Sequence, residues 1–479
     1  MNPALAADPR RWKALAVLGI AYLMVVLDVS IVNVALPSIQ TDLNFSPENL
    51  QWVVSGYALT FGGFLLLGGR AGDLLGRRIV FVVGLALFAA TSLLAGLSNS
   101  DTMLIATRIA QGAAGAILAP SVFSIVSVTF QEGAERNKAL GILGGIAGSG
   151  AAIGVLLGGV LTDYISWEWI FFVNVPIALA ALALVPRYVA ESRADGLARH
   201  FDAWGAVTVT GSLMLLVYAL TQSTTNGWGS LATIGTLVGS GVLMAIFLWI
   251  EQRSHSPLVP LGIFRRRTLS GANLIGFGLG TMVFGMFFLL SLYMQQVLGF
   301  TAMETGFAYL AVALTAVVAS GIAQATVTKI GVKPALTVGM TLLGAGLIYF
   351  TQVSVDGSYV RDLLPGFLLI GVGLGYSFVP VSIAALGGVQ GEEAGLASGL
   401  INTSQQIGGA LGLAILATVA NTRTEGLLES GTPPPEALTS GFQIAFWVGA
   451  GFALISLVTT LIVLRSDDLR APQPAAAPA

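Results

Sequence analysis

The chain has 479 residues, of which 55% are hydrophobic and only 10% are charged, with a mean hydropathy of +0.84. A soluble protein carries about 25% charged residues, so this composition excludes a water-soluble globular protein of this size. The absence of cysteine excludes disulfides, thiol chemistry and cysteine metal sites, and the net charge of −2 identifies no partner.

The apolar residues recur in segments of roughly 18 to 25 residues, each long enough to cross ~30 Å of hydrocarbon as a helix. Because lipid offers the backbone no hydrogen-bond partners, such segments must be helical. The first apolar run, from Ala14, is too long for a signal peptide and is expected to be retained. We predict an all-α membrane protein with fourteen spans, at residues 14–36, 50–69, 79–98, 102–129, 139–162, 168–188, 204–222, 232–250, 269–292, 303–327, 335–352, 361–387, 395–420 and 441–464.

The basic residues orient these spans. If the N-terminus is cytoplasmic, all but three of the 22 Lys and Arg residues lie on the cytoplasmic side. The exceptions are Arg108, inside span 4, and Arg361 and Arg423, outside. Cytoplasmic loops of membrane proteins are rich in Lys and Arg, so both termini are predicted to be cytoplasmic. Two cytoplasmic stretches, 189–203 and 251–268, are predicted linkers around spans 7 and 8.

Charged residues inside the spans are the candidates for chemistry. Asp28 lies in span 1, and Arg108 lies in span 4 with Gln111 on the same helix face. A buried carboxyl must be paired, protonated or open to water, so Asp28 is a candidate proton site. Arginine stays charged, and Arg108 could bias the proton affinity of a nearby acid such as Asp28. The alternatives are a fixed ion pair and simple helix packing.

Two other spans carry patterned side chains. Span 13 has a polar stripe of Ser398, Asn402, Gln405, Gln406 and Gly409, which is expected to face a cavity or another helix. Span 9 has an aromatic stripe of Phe277, Phe284, Phe287 and Phe288, followed by Ser291 and Gln295. Apolar walls with a few polar groups suit organic ligands, although the phenylalanines could equally face lipid.

Enzyme and pump signatures are absent from the sequence. His200 and His255 lie in the predicted linkers, so no histidine metal site is expected inside the membrane. There is no Gly-x-x-x-x-Gly-Lys phosphate loop, which argues against an ATP-driven pump. We therefore expect neither catalytic residues nor a cofactor or metal, and no nucleic-acid partner. The loops are too short for the output domain of a membrane sensor.

Several motifs together resemble those of the major facilitator superfamily, specifically the fourteen-span drug:proton antiporters of the EmrB/QacA type. The resembling segments are the first-helix run 27–37, the cytoplasmic loop motif 69–78, the fourth-helix motif 108–112, the fifth-helix antiporter motif 150–159 and the run 167–176. The resemblance covers nearly the whole chain. It implies the major facilitator fold, with two six-helix bundles plus two inserted helices.

With that resemblance, the chain divides into an N-terminal six-helix bundle at 1–188, a linker with two additional helices at 189–268, and a C-terminal six-helix bundle with a short cytoplasmic tail at 269–479. Weak internal repetition fits two related bundles. Gly76-Arg77-Arg78 after span 2 resembles Gly331-Val332-Lys333 after span 10, although 60 glycines make coincidence easy.

The resemblance also implies roles. Asp28 would be the proton and cation site, and Arg108 its relay partner, while Asp73, Arg77 and Arg78 would form a charge clamp that closes the cytoplasmic side. The implied gate motif is Gly69, Arg70, Gly72, Asp73, Gly76, Arg77 and Arg78. The implied antiporter-helix glycines are Gly150, Gly154, Gly158 and Gly159. The sequence departs from the family pattern at Leu74, Val155, Glu168 and Leu310.

The expected function is proton-coupled multidrug or antibiotic efflux by alternating access, in the bacterial inner membrane. Small amphipathic or cationic organic compounds are the expected substrates, and the expected assembly is a monomer. A dedicated exporter of one natural product and a proton symporter are the alternatives within transport. A membrane sensor without transport is the alternative from another class.

Overall fold

The computed structural model describes residues 10–131, 134–192, 202–254, 257–386 and 393–464. Within these ranges, one long helix corresponds to each predicted span. They are α1 (Arg11–Asp42), α2 (Trp52–Leu75), α3 (Arg77–Gly96), α4 (Asp101–Thr129), α5 (Ala134–Tyr164), α6 (Asn174–Tyr188), α7 (Ala203–Asn226), α8 (Leu231–Arg253), α9 (Arg267–Leu292), α10 (Ala302–Ile330), α11 (Val332–Phe350), α12 (Leu364–Leu386), α13 (Glu393–Glu429) and α14 (Pro434–Ile462). The short helices are Pro47–Leu50, Trp169–Phe172, the 3₁₀ helix Leu261–Arg265 and the π-helical turns Tyr293–Val297 and Tyr359–Leu363.

Thirteen helical segments of the described chain are long and apolar enough to cross a membrane. The helix missing from that set is α13, which is 37 residues long. Its polar stripe, with Asn402, Gln405 and Gln406 on successive turns, lowers its hydropathy relative to the other helices. The prediction of an all-α membrane fold is confirmed.

The helices begin and end where the sequence supplies caps and turns. The side chains of Ser100, Asp202 and Ser230 accept hydrogen bonds from backbone N–H groups in the first turns of α4, α7 and α8. Single glycines separate α2 from α3 and α10 from α11. Gly76 has φ +113° and Gly331 has φ +91°, a region that favours glycine. The two loops that the repeat prediction aligned therefore both turn on a glycine with positive φ.

Contacts between Cα atoms divide the chain into two units, and the first contains Met1–Leu258 and Leu290–Leu310. In it, α5 packs along α1, α4 packs against α2 and α3, and α6 packs against α1 and α3. The inserted helix α7 packs on α8 and α2. Ser212 and Ser240 donate reciprocal 2.8 Å hydrogen bonds to each other's backbone carbonyls, which ties α7 to α8.

The second unit contains Val259–Leu289 and Ala311–Ala479. In it, α11 packs against α12 and α14, and α13 packs against α14. Phe350 lies at the centre of an aromatic cluster, with ring centroids 5.5 Å from Phe367 and 5.6 Å from Phe446. The α9 and α13 backbones approach closely, since the Thr281 hydroxyl donates a 2.8 Å bond to the Gly408 carbonyl.

This division differs from the predicted one. It assigns α7 and α8 to the first unit, together with the segment 290–310 that joins α9 to α10. The three-part boundaries at residues 188 and 268 stay a prediction, because compactness alone does not define the functional bundles. Three predicted features lie outside the described residues. They are residues 193–201 of the first linker with His200, His255 of the second linker, and the tail after residue 464.

Candidate functional site

A buried ion pair lies in the centre of the first unit. Arg108 Nη1 of α4 donates a 2.5 Å hydrogen bond to Asp28 Oδ2 of α1. The Asp28 side chain is 0% exposed and that of Arg108 is 1% exposed. The sequence proposed Asp28 as one candidate partner of Arg108, and the structure brings the two together.

Two side-chain amides complete the surroundings of the carboxylate. Gln111 Nε2 lies 2.7 Å from Asp28 Oδ1, and Asn174 Nδ2 of α6 lies 3.1 Å from the same oxygen. Both amides also donate to the hydroxyl of Ser92 on α3, at 2.8 Å and 3.4 Å. All three partners of Asp28 are donors, so this arrangement suits its ionised form.

Arg108 has partners besides the carboxylate. Its Nε donates to the Val53 carbonyl at 2.9 Å, and its Nη1 donates to Gln111 Oε1 at 2.6 Å. The guanidinium carbon lies 4.4 Å from the ring centroid of Tyr57 and 5.6 Å from that of Phe171. Cation–π attraction is strongest where water is excluded. Protein groups other than Asp28 therefore also hold the cation of Arg108.

Glycines determine how closely the helices around this site approach. A Cβ on Gly112 would lie 2.2 Å from the Tyr57 carbonyl oxygen, so only glycine lets α4 contact α2 here. This contact places Arg108, one turn earlier, beside Val53 and Tyr57. On α5, the glycine at 154 faces Ser30 and Leu27 of α1, and the glycine at 158 faces the Ile31 carbonyl.

The other two antiporter-helix glycines also lie at close contacts. Gly150 faces the side chains of Leu23 and Val26 on α1, and Gly159 faces the first residues of α10, at Ala302 and Met303. The stripe at 150, 154 and 158 therefore packs α5 directly against the helix that carries Asp28. The α5 helix is continuous through the buried Val155, which stands where the family pattern has proline.

The cytoplasmic loop motif is organised by polar contacts within the first unit. The Glu191 carboxylate accepts hydrogen bonds from the backbone N–H groups of Arg78 and Ile79, at 3.1 Å and 3.2 Å, and caps α3. Arg77 Nε donates to Ser124 Oγ at 2.7 Å. Sequence analysis did not identify Glu191. The side chain of Asp73 lies outside the described residues, so the predicted clamp stays a prediction.

The remaining members of the loop motif lie near the C-terminal end of α2. A Cβ on Gly69 would lie 3.7 Å from Pro120, and one on Gly72 would lie 3.8 Å from Ser121 Oγ, both ordinary contact distances. Arg70 Nη1 lies 3.5 Å from the carbonyl of Pro257, in the chain that follows α8.

The predicted substrate-cavity residues are divided between the two units. In the second unit, Asn402 is exposed, Gln405 and Gln406 are half-buried, and Gln406 Oε1 is a buried atom without a hydrogen-bond partner. Phe284 lies against Gly409 of α13, and Phe287 is half-buried. Phe288 is only 2% exposed and belongs to the packed interior. Gln295 belongs to the first unit, where its Nε2 donates to the Val34 carbonyl at 2.9 Å. Their role in binding substrate stays a prediction.

Sequence reasoning missed three side chains of the site. Ser92, Asn174 and Tyr57 come from α3, α6 and α2, and each is at most 2% exposed. Ser92 and Tyr57 gave no signal beyond a polar group inside an apolar segment, whereas Asn174 lies in the run 167–176 that resembles the family motif. Among the described residues, no group of three or more His, Asp or Glu side chains could hold a metal ion.

Comparison with known proteins identifies the family. The sequence model of the Major Facilitator Superfamily matches residues 18–413 of the chain. The chain belongs to the Major Facilitator Superfamily. It is 38% identical over 460 residues to the puromycin resistance protein pur8 of Streptomyces alboniger, covering 95% of this chain and 91% of that protein. It is 37% identical over 453 residues to the cephamycin export protein CmcT of Amycolatopsis lactamdurans, covering 94% and 92%.

Solved structures of this superfamily share the fold. A bacterial homologue of the human lysosomal transporter Spinster superimposes with a TM-score of 0.69 at 15% identity, covering 98% of this chain and 100% of that chain. The chain is therefore a membrane transporter of the Major Facilitator Superfamily and not an enzyme. The predicted superfamily and fold are confirmed.

Proposed function

We propose that this transporter exports small amphipathic or cationic organic compounds from the bacterial cytoplasm in exchange for protons. The observation that carries the proposal is the fully buried pair of Asp28 and Arg108. Replacing a buried ion pair by apolar side chains of similar volume is often neutral or stabilising, so stability alone does not explain the pair. Ionisable groups inside membrane proteins mark ion and substrate pathways.

The charge of the pair changes when a proton binds. With Asp28 ionised, the pair is neutral, and with Asp28 protonated, the guanidinium of Arg108 is left uncompensated, since arginine keeps its charge. A positive charge in a low-dielectric interior repels a cationic substrate strongly. Proton binding and binding of a cation are thus opposed, which is what exchange requires.

The transport cycle follows from this opposition. Asp28 binds a proton from outside as substrate is released, the transporter changes the side to which its site is open, and the proton leaves to the cytoplasm. Moving one charge across the membrane yields about 2.3 kcal/mol per 100 mV. Exchange of a monocation for one proton moves no net charge, so the pH difference would drive it. Asp28 is the one clear acid well inside a predicted span, so we propose a low proton stoichiometry.

Location, orientation and energy source belong to the same proposal. The matched relatives come from Streptomyces alboniger and Amycolatopsis lactamdurans, and one of them is named as an export protein. These bacterial relatives support the bacterial cell membrane as the location, and the distribution of Lys and Arg supports both termini in the cytoplasm. We propose a monomer that uses the proton gradient and no cofactor.

Transport by the purified protein in liposomes tests the coupling. Under an imposed pH gradient, addition of substrate should move protons in the opposite direction, and Asp28→Asn should abolish pH-driven export. The matched control is Asp356→Asn, an exposed acid in the loop between α11 and α12, which should transport normally. Unaltered pH-driven export by Asp28→Asn refutes the assignment. Proton movement in the same direction as substrate identifies a symporter.

A second candidate is a dedicated exporter of one compound. The names of the two relatives described above favour it, because one name mentions puromycin and the other mentions cephamycin. Resistance of a pump-deficient host to a panel of dyes and antibiotics distinguishes the two. Protection against several unrelated compounds supports multidrug efflux, and protection against one supports the dedicated exporter.

A further inference from the structure

The side chain of Asn174 is 1% exposed and makes an incomplete set of hydrogen bonds. Its Nδ2 donates to Asp28 Oδ1 and to Ser92 Oγ. Its Oδ1 is buried and has no hydrogen-bond partner. A buried acceptor without a partner costs free energy, and most such atoms in folded proteins are satisfied. The amide is therefore satisfied on one side only in the state seen here.

The unused oxygen has a clear use once Asp28 binds a proton. An ionised carboxylate only accepts hydrogen bonds, but a protonated carboxyl also has one proton to donate. Arg108 and the two amides of Gln111 and Asn174 all present donors to Asp28. The oxygen of Gln111 already accepts from Arg108. Two oxygens near the carboxylate remain without a partner, Asn174 Oδ1 and the Tyr57 hydroxyl, and of these two side chains Asn174 is the one that bonds to Asp28.

A half-turn of the Asn174 amide about its Cβ–Cγ bond exchanges its oxygen and nitrogen. We propose that Asn174 is a positioning residue that donates a hydrogen bond to ionised Asp28 and, after this half-turn, accepts a hydrogen bond from the O–H of protonated Asp28. Each charge state of the acid then has a matched partner, and neither state leaves the carboxyl unsatisfied. This inference rests on the proposed proton coupling at Asp28.

Few other groups can compete for this role. In the described part of the chain, the charged or titratable groups that face Asp28 are Arg108 from α4 and Tyr57 from α2, which interact electrostatically with it. Helices α3 and α6 present Ser92 and Asn174, and α5 presents glycines. Arg108 has no acceptor to offer. The Tyr57 hydroxyl has no hydrogen-bond partner and so does not occupy the Asn174 oxygen.

Infrared difference spectroscopy on the whole protein, between neutral and acidic pH, tests the proposal. The carboxyl C=O band of protonated Asp28 is identified by its loss in Asp28→Asn. In the wild type, this band should lie at the position of a carboxyl that donates a hydrogen bond. In Asn174→Leu it should move to higher wavenumber. The control Asn33→Leu, a buried asparagine on α1 that bonds the Val29 carbonyl, should leave it in place.

The pH profile of transport separates the two-state role from a simpler one. If Asn174 only donates to the carboxylate, Asn174→Leu should raise the pH midpoint of transport by about one to two units, with no change in the infrared band. The two-state role predicts a smaller shift together with the band movement. An unmoved band in Asn174→Leu overturns the proposal, and Asn174→Ala serves as a second variant if the leucine does not fold.

Failure of this inference is distinct from failure of the proposed function. Asp28→Asn reports the function, because it should abolish pH-driven export whatever Asn174 does. If Asp28→Asn abolishes export and the Asp28 band does not respond to Asn174→Leu, only the role of Asn174 is wrong. If Asp28→Asn exports normally, the proton coupling itself is wrong.

Discussion

The two members of the buried pair should differ in how much their loss destabilises the protein. Asp28→Asn leaves a guanidinium in a site where both side chains are at most 1% exposed. Arginine cannot release its proton, so the cation stays buried without its carboxylate. Breaking a buried pair in this way costs about 3–5 kcal/mol. The cation is still held by the Val53 carbonyl, Gln111 Oε1 and the Tyr57 ring. The expected loss of folding free energy therefore lies at the lower end of this range.

Arg108→Gln has a different consequence, because an acid can neutralise itself. Asp28 can bind a proton and then sits in the site as a neutral group, still bonded by Gln111 and Asn174. The expected loss is about 1–3 kcal/mol, that of an imperfectly satisfied polar group. It should grow as pH rises, because the lone carboxyl must then ionise in an apolar site. The double variant should cost about 1–3 kcal/mol less than the sum of the single ones.

Thermal unfolding in detergent, followed by tryptophan fluorescence at one heating rate, measures this ordering. Membrane proteins often unfold irreversibly, so the comparison uses apparent midpoints under identical conditions. At acidic pH, Asp28→Asn should have the lowest apparent unfolding temperature of the two single variants. At alkaline pH, the difference in unfolding temperature between Asp28→Asn and Arg108→Gln should become smaller. Equal losses for both single variants at both pH values contradict the reasoning, as does strict additivity in the double variant.

Three further predictions concern packing and helix ends in the first unit. Gly158→Ala should lower the thermal midpoint, because its Cβ would lie 2.7 Å from the Ile31 carbonyl oxygen and overpacking costs about 1–3 kcal/mol. The control is Gly141→Ala on the same helix, which should leave the midpoint unchanged because a Cβ there has nothing within 4 Å. Asp163→Asn should cost about 0.5–2 kcal/mol, because its carboxylate caps the first two N–H groups of α10 at 3.2 Å and 2.8 Å. Glu191→Gln should cost a similar amount by weakening the cap of α3, and faster hydrogen exchange at the start of that helix would show it. No change in Gly158→Ala, Asp163→Asn or Glu191→Gln relative to wild type counts against the packing described.

The sequence allowed the number and type of helices to be predicted well, because the signals are local. An apolar segment of bilayer length is recognisable without knowing its neighbours. The polar stripe of α13 was predicted, and the same stripe accounts for its lower hydropathy. Asp28 and Arg108 were recognisable as candidates because a charge in an apolar segment is conspicuous.

The rest of the site depends on which helix faces meet, and that is not a local property. Ser92 and Asn174 are ordinary polar residues in their own helices, and only the packing of α3 and α6 around α1 brings them to the carboxylate. Glu191 was in a stretch that sequence analysis treated as a linker, yet its carboxylate caps α3. The spacing of Phe288 predicted either a cavity wall or a lipid-facing ring, and helical spacing alone cannot distinguish these from the packed interior in which the ring lies.

The glycines connect the packing to the chemistry. On α4, the glycine one turn after Arg108 lets that helix reach the Tyr57 carbonyl, and on α5 the glycine stripe allows backbone contact with α1. Both approaches exclude water from Asp28 and Arg108, and exclusion of water is what makes a single proton change the electrostatics of the interior so strongly. Close packing and the proposed proton coupling would therefore have the same origin. A variant that loosens either contact should weaken the coupling between proton and substrate before it abolishes the fold, so Gly158→Ala should raise proton leak in liposomes without substrate. A tight, proton-impermeable Gly158→Ala protein would show that the close approach of α5 serves the fold alone.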